Sequence, residues 1–168
     1  MRIYEGSPRQ DWEEVLRGIG AYLDERAMRG IAFLETDTGF IVQGTTVTGT
    51  TGSGESLGRS ERETMNLDDE AVGAFIDAGE ARHGHGAEET QPKRYEAELR
   101  VIGRYLDGQH PRDVLFMELD GAYILRLSAP GQGGLRQELT EFTRDDIADM
   151  IARAPTLRRP IDPKAKPA

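Results

Sequence analysis

The chain has no cysteine, which removes disulfide bonds, thiol nucleophiles and cysteine-bound metals from consideration without fixing the compartment. Nowhere does an apolar run approach the ~18 residues that a membrane-spanning helix needs. The opening segment MRIYEGSPRQDWEE also lacks the apolar core of a signal peptide, so a cytoplasmic protein is expected. Basic charge is short as well: Lys and Arg number 21 against 30 Asp and Glu, a net charge of −9. Most of that excess sits in residues 1–84, with 8 basic against 16 acidic side chains. An acidic surface repels phosphate, so neither nucleic acid nor an anionic membrane is an expected partner. Hydrophobic residues make up only 37% of the chain and charged residues 30%, which predicts a modest core under a charged surface.

What the chain does have is repetition. Trp12–Gln43 aligns without a gap on Tyr95–Arg126 at a constant shift of 83 residues. Glu13, Leu16, Arg17, Ile19, Gly20, Tyr22, Leu23 and Asp24 recur in this way as Glu96, Leu99, Arg100, Ile102, Gly103, Tyr105, Leu106 and Asp107. Further along the same alignment Arg29, Phe33, Glu35, Asp37 and Ile41 recur as Arg112, Phe116, Glu118, Asp120 and Ile124. Leu67–Gly79 matches Phe142–Ala154 at a shift of 75. The expected organisation is a tandem duplication: a first unit over 1–79, a polar linker over 80–91, a second unit over 92–154, and a basic, proline-rich tail over 155–168 expected to be disordered. Two such small units are expected to share one core.

The periodicities predict the same elements in each unit. Ser7 and Pro8 look like a helix start, and Trp12, Val15, Leu16, Ile19 and Leu23 then follow at helical spacing, predicting a helix over 8–27. Tyr95, Leu99, Ile102 and Leu106 predict its counterpart. Ile31–Thr36 and Val114–Leu119 are apolar on both alternating faces, as expected of central strands covered on two sides. Turns at Asp37–Gly39 and Asp120–Gly121 lead into second strands, and the charged stretches 57–65 and 135–142 read as third, edge strands. Asp68 and Thr143 then cap a closing helix in each unit. The fold class is therefore α+β, with α-β-β-β-α units whose antiparallel sheets pack with helices around a pseudo-two-fold axis. Gly20 and Gly103 fall on the apolar faces of the first helices, where glycine costs about 1 kcal/mol relative to alanine, so a close backbone approach is expected there.

Candidate chemistry is sparse. Glu35 with Asp37, and Glu118 with Asp120, are spaced by two and lie on one face of a strand end. With Arg29 and Arg112 ahead of the same strands, they form the one duplicated charged set that a small-molecule site between the units would use. Ion pairing within the fold is the plainer role for these residues. His83 and His85 form the only histidine pair, but flanking glycines leave them unpositioned and no metal site is assigned. The segment Gly44–Ser56 has the glycine content of a phosphate loop. Glu55 stands where that loop carries lysine, so a mobile connection is expected, with Ala129–Gly134 in the same place in the second unit.

In architecture alone, the small acidic α-β-β-β-α unit resembles type III secretion chaperones, and the resemblance implies a protein that acts by binding a partner chain. The reading that follows is a non-catalytic protein-binding or assembly module with no cofactor and an unidentified protein partner. It would be either a monomer of two repeats or a weak homodimer. The alternative is a sensor or enzyme with a site between the repeats.

Overall fold

The computed structural model describes residues 11–48, 59–84 and 94–154. In chain order the elements are α1 (Trp12–Glu25), β1 (Met28–Thr36), β2 (Gly39–Thr48), β3 (Arg59–Asp68), α2 (Asp69–Gly84), α3 (Arg94–Gln109), β4 (Asp113–Leu119), β5 (Ala122–Gly131), β6 (Gly134–Phe142) and α4 (Arg144–Arg153). The protein is α+β, and its described residues form four helices and a single antiparallel sheet of six strands in the order β3-β2-β1-β4-β5-β6. One sheet replaces the separate sheets expected from the sequence, because β1 and β4 pair with each other at its centre. Phe33 lies opposite Phe116 in that pairing, and their rings stack with centroids 4.6 Å apart. Two apolar strands hide their backbone polar groups best beside each other, and the charged β3 and β6 take the edges.

Several boundaries differ from the sequence reading. Asp11 is the N-cap of α1, its side chain accepting from Glu14 N–H, whereas Ser7 lies outside the described residues. Helix α2 continues to Gly84, so the polar linker does not begin at residue 80 and His83 belongs to a helix. Its companion His85 lies outside the described residues, as does the tail from Pro155. Strand β2 runs to Thr48, so residues 44–48 are ladder rather than loop, and 49–58 are outside the described residues. Likewise Ala129–Gly131 belong to β5, and a two-residue turn at Gln132-Gly133 replaces the longer loop. The cap at Thr143 is present and forms a capping box with Asp146.

Among the described residues, the large buried side chains belong to one cluster, with Trp12, Leu16, Leu99 and Leu106 from the helices set against Phe33, Phe40, Phe116 and Tyr123 from the sheet. Helices α1 and α3 pack along each other, antiparallel, so that the start of each meets the end of the other. Gly20 and Gly103 permit this approach. A Cβ on Gly20 would stand 2.3 Å from Tyr95 O, and one on Gly103 would stand 2.3 Å from Trp12 O. Around these glycines the contacts are reciprocal. Asp24 accepts from Tyr95 N–H (3.1 Å) and Glu96 N–H (3.0 Å), and Asp107 accepts from Trp12 N–H (2.8 Å) and Glu13 N–H (3.2 Å). Arg100 pairs with Glu13 at 2.9 Å and Arg17 approaches Glu96 at 3.7 Å. An aspartate at a helix C-terminus is unfavourable beside its own dipole. Here each one satisfies the first amides of the neighbouring helix, where negative charge is favoured.

Among the described residues, helices cover strands β1 and β4 on one side only. Phe33, Phe40, Val114, Phe116, Tyr123 and Leu125 point to the helices, whereas the alternate residues occupy a face on which no described helix packs. Leu34 is 39% exposed there, Met117 37% and Leu119 51%.

Candidate functional site

The structure divides the charged set singled out in the sequence. Because β1 and β4 are antiparallel, Ala32 faces Met117 and Leu34 faces Leu115. Glu118 therefore lies near Ile31 and Arg29, while Glu35 lies near Val114, Asp113 and Arg112. The expected single site lined by all six residues does not form. Arg29, Glu118 and Asp120 meet at one end of the β1–β4 pair, and Glu35 stands at the other with Asp37 exposed in the adjoining turn.

The first group lines a cleft of about 610 Å³ together with Gly30, Arg94, Glu98, Gly121 and Arg144. A register irregularity in β1 between Arg29 and Ala32 includes Gly30 at φ +58°, a conformation that suits glycine. Ile31 N–H donates to Glu118 Oε2 at 3.3 Å from this stretch. The same carboxylate accepts from the Tyr95 hydroxyl at 2.5 Å and from Arg94. Arg94 also pairs with Glu98 at 3.3 Å, and Glu98 accepts from the Tyr123 hydroxyl at 2.5 Å. On the opposite wall, Arg144 Nε donates to the carbonyl of Asp120 at 3.0 Å.

These contacts fix the protonation of the cleft. Burial works against the Arg94 charge, but the hydrogen bond to Glu118 and the charges of Glu98 and Glu118 more than offset it and hold the guanidinium charged. Burial and a carboxylate partner push both phenols, Tyr95 through Glu118 and Tyr123 through Glu98, well above their ordinary range, so both remain donors. The two floor carboxylates are thus occupied by Arg94, two phenols and one amide. Arg29, exposed at the mouth, has no acidic partner within ion-pair distance among the described residues. Such an arrangement can hold an anionic group at its rim. No serine, threonine or histidine is among the described lining residues, and the hydroxyls of Tyr95 and Tyr123 are bonded to Glu118 and Glu98. Nor do three His, Asp or Glu side chains converge as metal ligands anywhere among the described residues.

At the other end, burial pushes the Glu35 carboxyl up to about 8, with the neighbouring Asp113 charge adding to the shift. Its Oε2 is buried without a hydrogen-bond partner. Arg112 is exposed, and its amide donates to Ser128 O at 2.7 Å.

Arg94, Glu98 and Arg144 have no identical counterpart in the other half of the chain, so the recurrence of residues does not point to them. The signal lies in the differences: at the shifts of 83 and 75 these three align with Asp11, Val15 and Asp69, and Tyr95 and Tyr123 align with Trp12 and Phe40.

The second surface is the open face of the sheet. Leu34 lies between Ile41 and Leu115, and Met117 between Ala32 and Ile124, so an aliphatic strip crosses β2, β1, β4 and β5, and Arg126, opposite both Leu115 and Leu139, separates it from Leu139 on β6. Exposed charges, Arg62, Asp113, Arg126 and Glu141, lie on the strands around it. No described helix is long and apolar enough to cross a membrane. No protein-family model matches the chain, and neither the curated proteins nor the solved structures compared with it show a match.

Proposed function

We propose that this chain is a non-catalytic protein-binding module that docks an aliphatic segment of a partner protein on the open face of its sheet. The carrying observation is the one-sided distribution of the described helices, which leaves Leu34 and Met117 exposed on the two central strands, with Leu119 at the end of β4 beside them. Contiguous aliphatic surface of this kind, rimmed by charges of both signs, has the composition of a protein interface. The same reading takes the chain as a tandem duplication about an approximate two-fold axis near the Phe33–Phe116 contact. The repeated residues and the reciprocal caps, ion pairs and glycine contacts of α1 and α3 support it.

Methionine oxidation tests the docking surface directly, since Met117 lies on it. In extracts of the native cell, Met117 is expected to oxidise several-fold more slowly with peroxide than in the dilute purified chain. Leu34→Lys, a change at an exposed position, should remove that protection while leaving the fold intact. Equal oxidation of Met117 in both settings would refute the docking surface.

A small-molecule sensor is a second reading, favoured by the single observation that Arg29 offers an unpaired guanidinium at the mouth of the cleft. A thermal shift with small carboxylates or phosphate that disappears in Arg29→Ala would establish it in place of the first.

A further inference from the structure

We propose that two copies of this chain associate through the outer edges of their β6 strands, in antiparallel register centred on Gln137, to form one continuous sheet of twelve strands. Strand β6 ends the sheet, and no described strand pairs with its outer edge. Some of the usual guards of an edge are missing: its ladder with β5 runs from Gly134 to Phe142 without a register shift, and it contains neither proline nor lysine, so the guard it carries is the charge of Arg136, Glu138 and Glu141. Leu135 and Leu139, 57% and 74% exposed, stand on it facing the open side of the sheet.

The direction of the backbone groups follows from the ladder. Ser128 O accepts from Arg112 N–H, so even-numbered residues of β5 direct their polar groups toward β4 and odd-numbered ones toward β6. Leu127 and Ala129 are opposite Glu138 and Arg136, so the even residues of β6 bond inward and Leu135, Gln137, Leu139 and Glu141 present N–H and C=O outward. A second copy must therefore place its own odd residues opposite these, which limits the register to a few choices.

Only one of them is complementary. Centring on Gln137 sets Leu135 opposite Leu139 of the second copy and Arg136 opposite Glu138 of the second copy, and symmetry repeats both pairs. The leucines meet on the open side and the charges on the helix side, where Arg136 and Glu138 already lie 3.1 Å apart within one chain. Centring on Glu138 or Arg136 puts like charges face to face, and centring on Leu139 leaves Arg136 against Phe142. Opposite charges and apolar pairs across strands stabilise a sheet, whereas like charges directly opposite destabilise it. The other edge offers no such match: in β3, setting Arg62 against Asp68 puts Glu63 against Leu67. With about six backbone hydrogen bonds and four side-chain pairs, the contact is small, which places the dimer among weak, concentration-dependent ones. A second copy at this edge leaves the open face free.

Sedimentation velocity across a concentration series should show the native chain passing from monomer to dimer. Arg136→Glu and Glu138→Arg should each remain monomeric, because each confronts like charges across the axis, while an equimolar mixture of the two should dimerise again, since every opposed pair is then of opposite sign. In a chain without native cysteine, Gln137→Cys should cross-link under oxidation, its two copies facing each other at about 5.5 Å between Cα atoms. Glu141→Cys, whose copies would stand about 27 Å apart along the strands, should not. A native chain that stays monomeric at every concentration, a dimer that survives both single charge reversals, or equal cross-linking at positions 137 and 141 would overturn the proposal. Circular dichroism of each variant separates loss of association from loss of fold, above all for half-buried Glu138, which accepts from the Tyr105 hydroxyl at 2.9 Å.

Discussion

Replacing Gly20 by alanine should destabilise the protein, although alanine is the better helix former by about 1 kcal/mol. The added Cβ would lie 2.3 Å from Tyr95 O, 2.6 Å from Tyr95 C and 2.9 Å from Glu96 N, all backbone atoms of α3 that cannot rotate away. Restoring an ordinary contact of about 3.4 Å requires the helices to part by about 1 Å, which in a filled core costs roughly 1–3 kcal/mol. The same movement stretches the hydrogen bonds from Tyr95 and Glu96 to Asp24, now 3.1 and 3.0 Å, and weakens a helix cap normally worth about 1 kcal/mol. Set against the gain in propensity, the net expectation is a loss of about 1–3 kcal/mol. Gly103→Ala should behave alike, because its Cβ would meet Trp12 O at the same 2.3 Å. Gly108→Ala supplies the comparison: it lies in α3 with nothing within 4 Å of the new Cβ, and should raise stability by roughly 0.5–1 kcal/mol. Urea titration followed by circular dichroism reads all three as shifts of midpoint at constant slope. If Gly20→Ala proves as stable as the native chain, the close approach of α1 and α3 is wrong.

The reciprocal caps give a second test: Asp24→Ala and Asp107→Ala should each cost about 1–2 kcal/mol by orphaning two amides of the opposite helix. Hydrogen exchange should accelerate first at the start of α3 for Asp24→Ala and at the start of α1 for Asp107→Ala, and the reverse pattern would refute the assignment. Glu35 predicts a pH dependence. Its carboxyl is pushed up from 4.5 to about 8 by burial, so between those values the native state holds a proton that the unfolded chain has released. Stability should therefore fall as pH rises from about 4.5 to about 8, and Glu35→Gln should flatten that part of the profile. An unchanged slope in the variant would show that Glu35 titrates normally.

The order of helices and strands was legible in the sequence because helical and strand periodicities are local and this chain keeps them clean: Leu16, Ile19 and Leu23 on α1, and Ile31, Phe33 and Glu35 against Ala32 and Leu34 on β1. The glycines at 20 and 103 were legible too, since a repeated cost in helix propensity needs a compensating contact. Ends of elements were less so, because more than one residue type before a helix can cap it, and the structure gives Asp11 as the N-cap of α1. Pairing between distant strands is not encoded locally, so the sequence by itself did not determine that β1 joins β4 in one sheet. That pairing placed Arg29 beside Glu118 instead of beside Glu35, and so assembled the cleft from residues far apart in the chain. It also determined the fate of Leu34 and Met117. Composition marks both as core residues, but the four described helices pack on one side of the sheet and leave Leu34 and Met117 exposed on the other, and an apolar side chain is buried only where the fold supplies something to cover it.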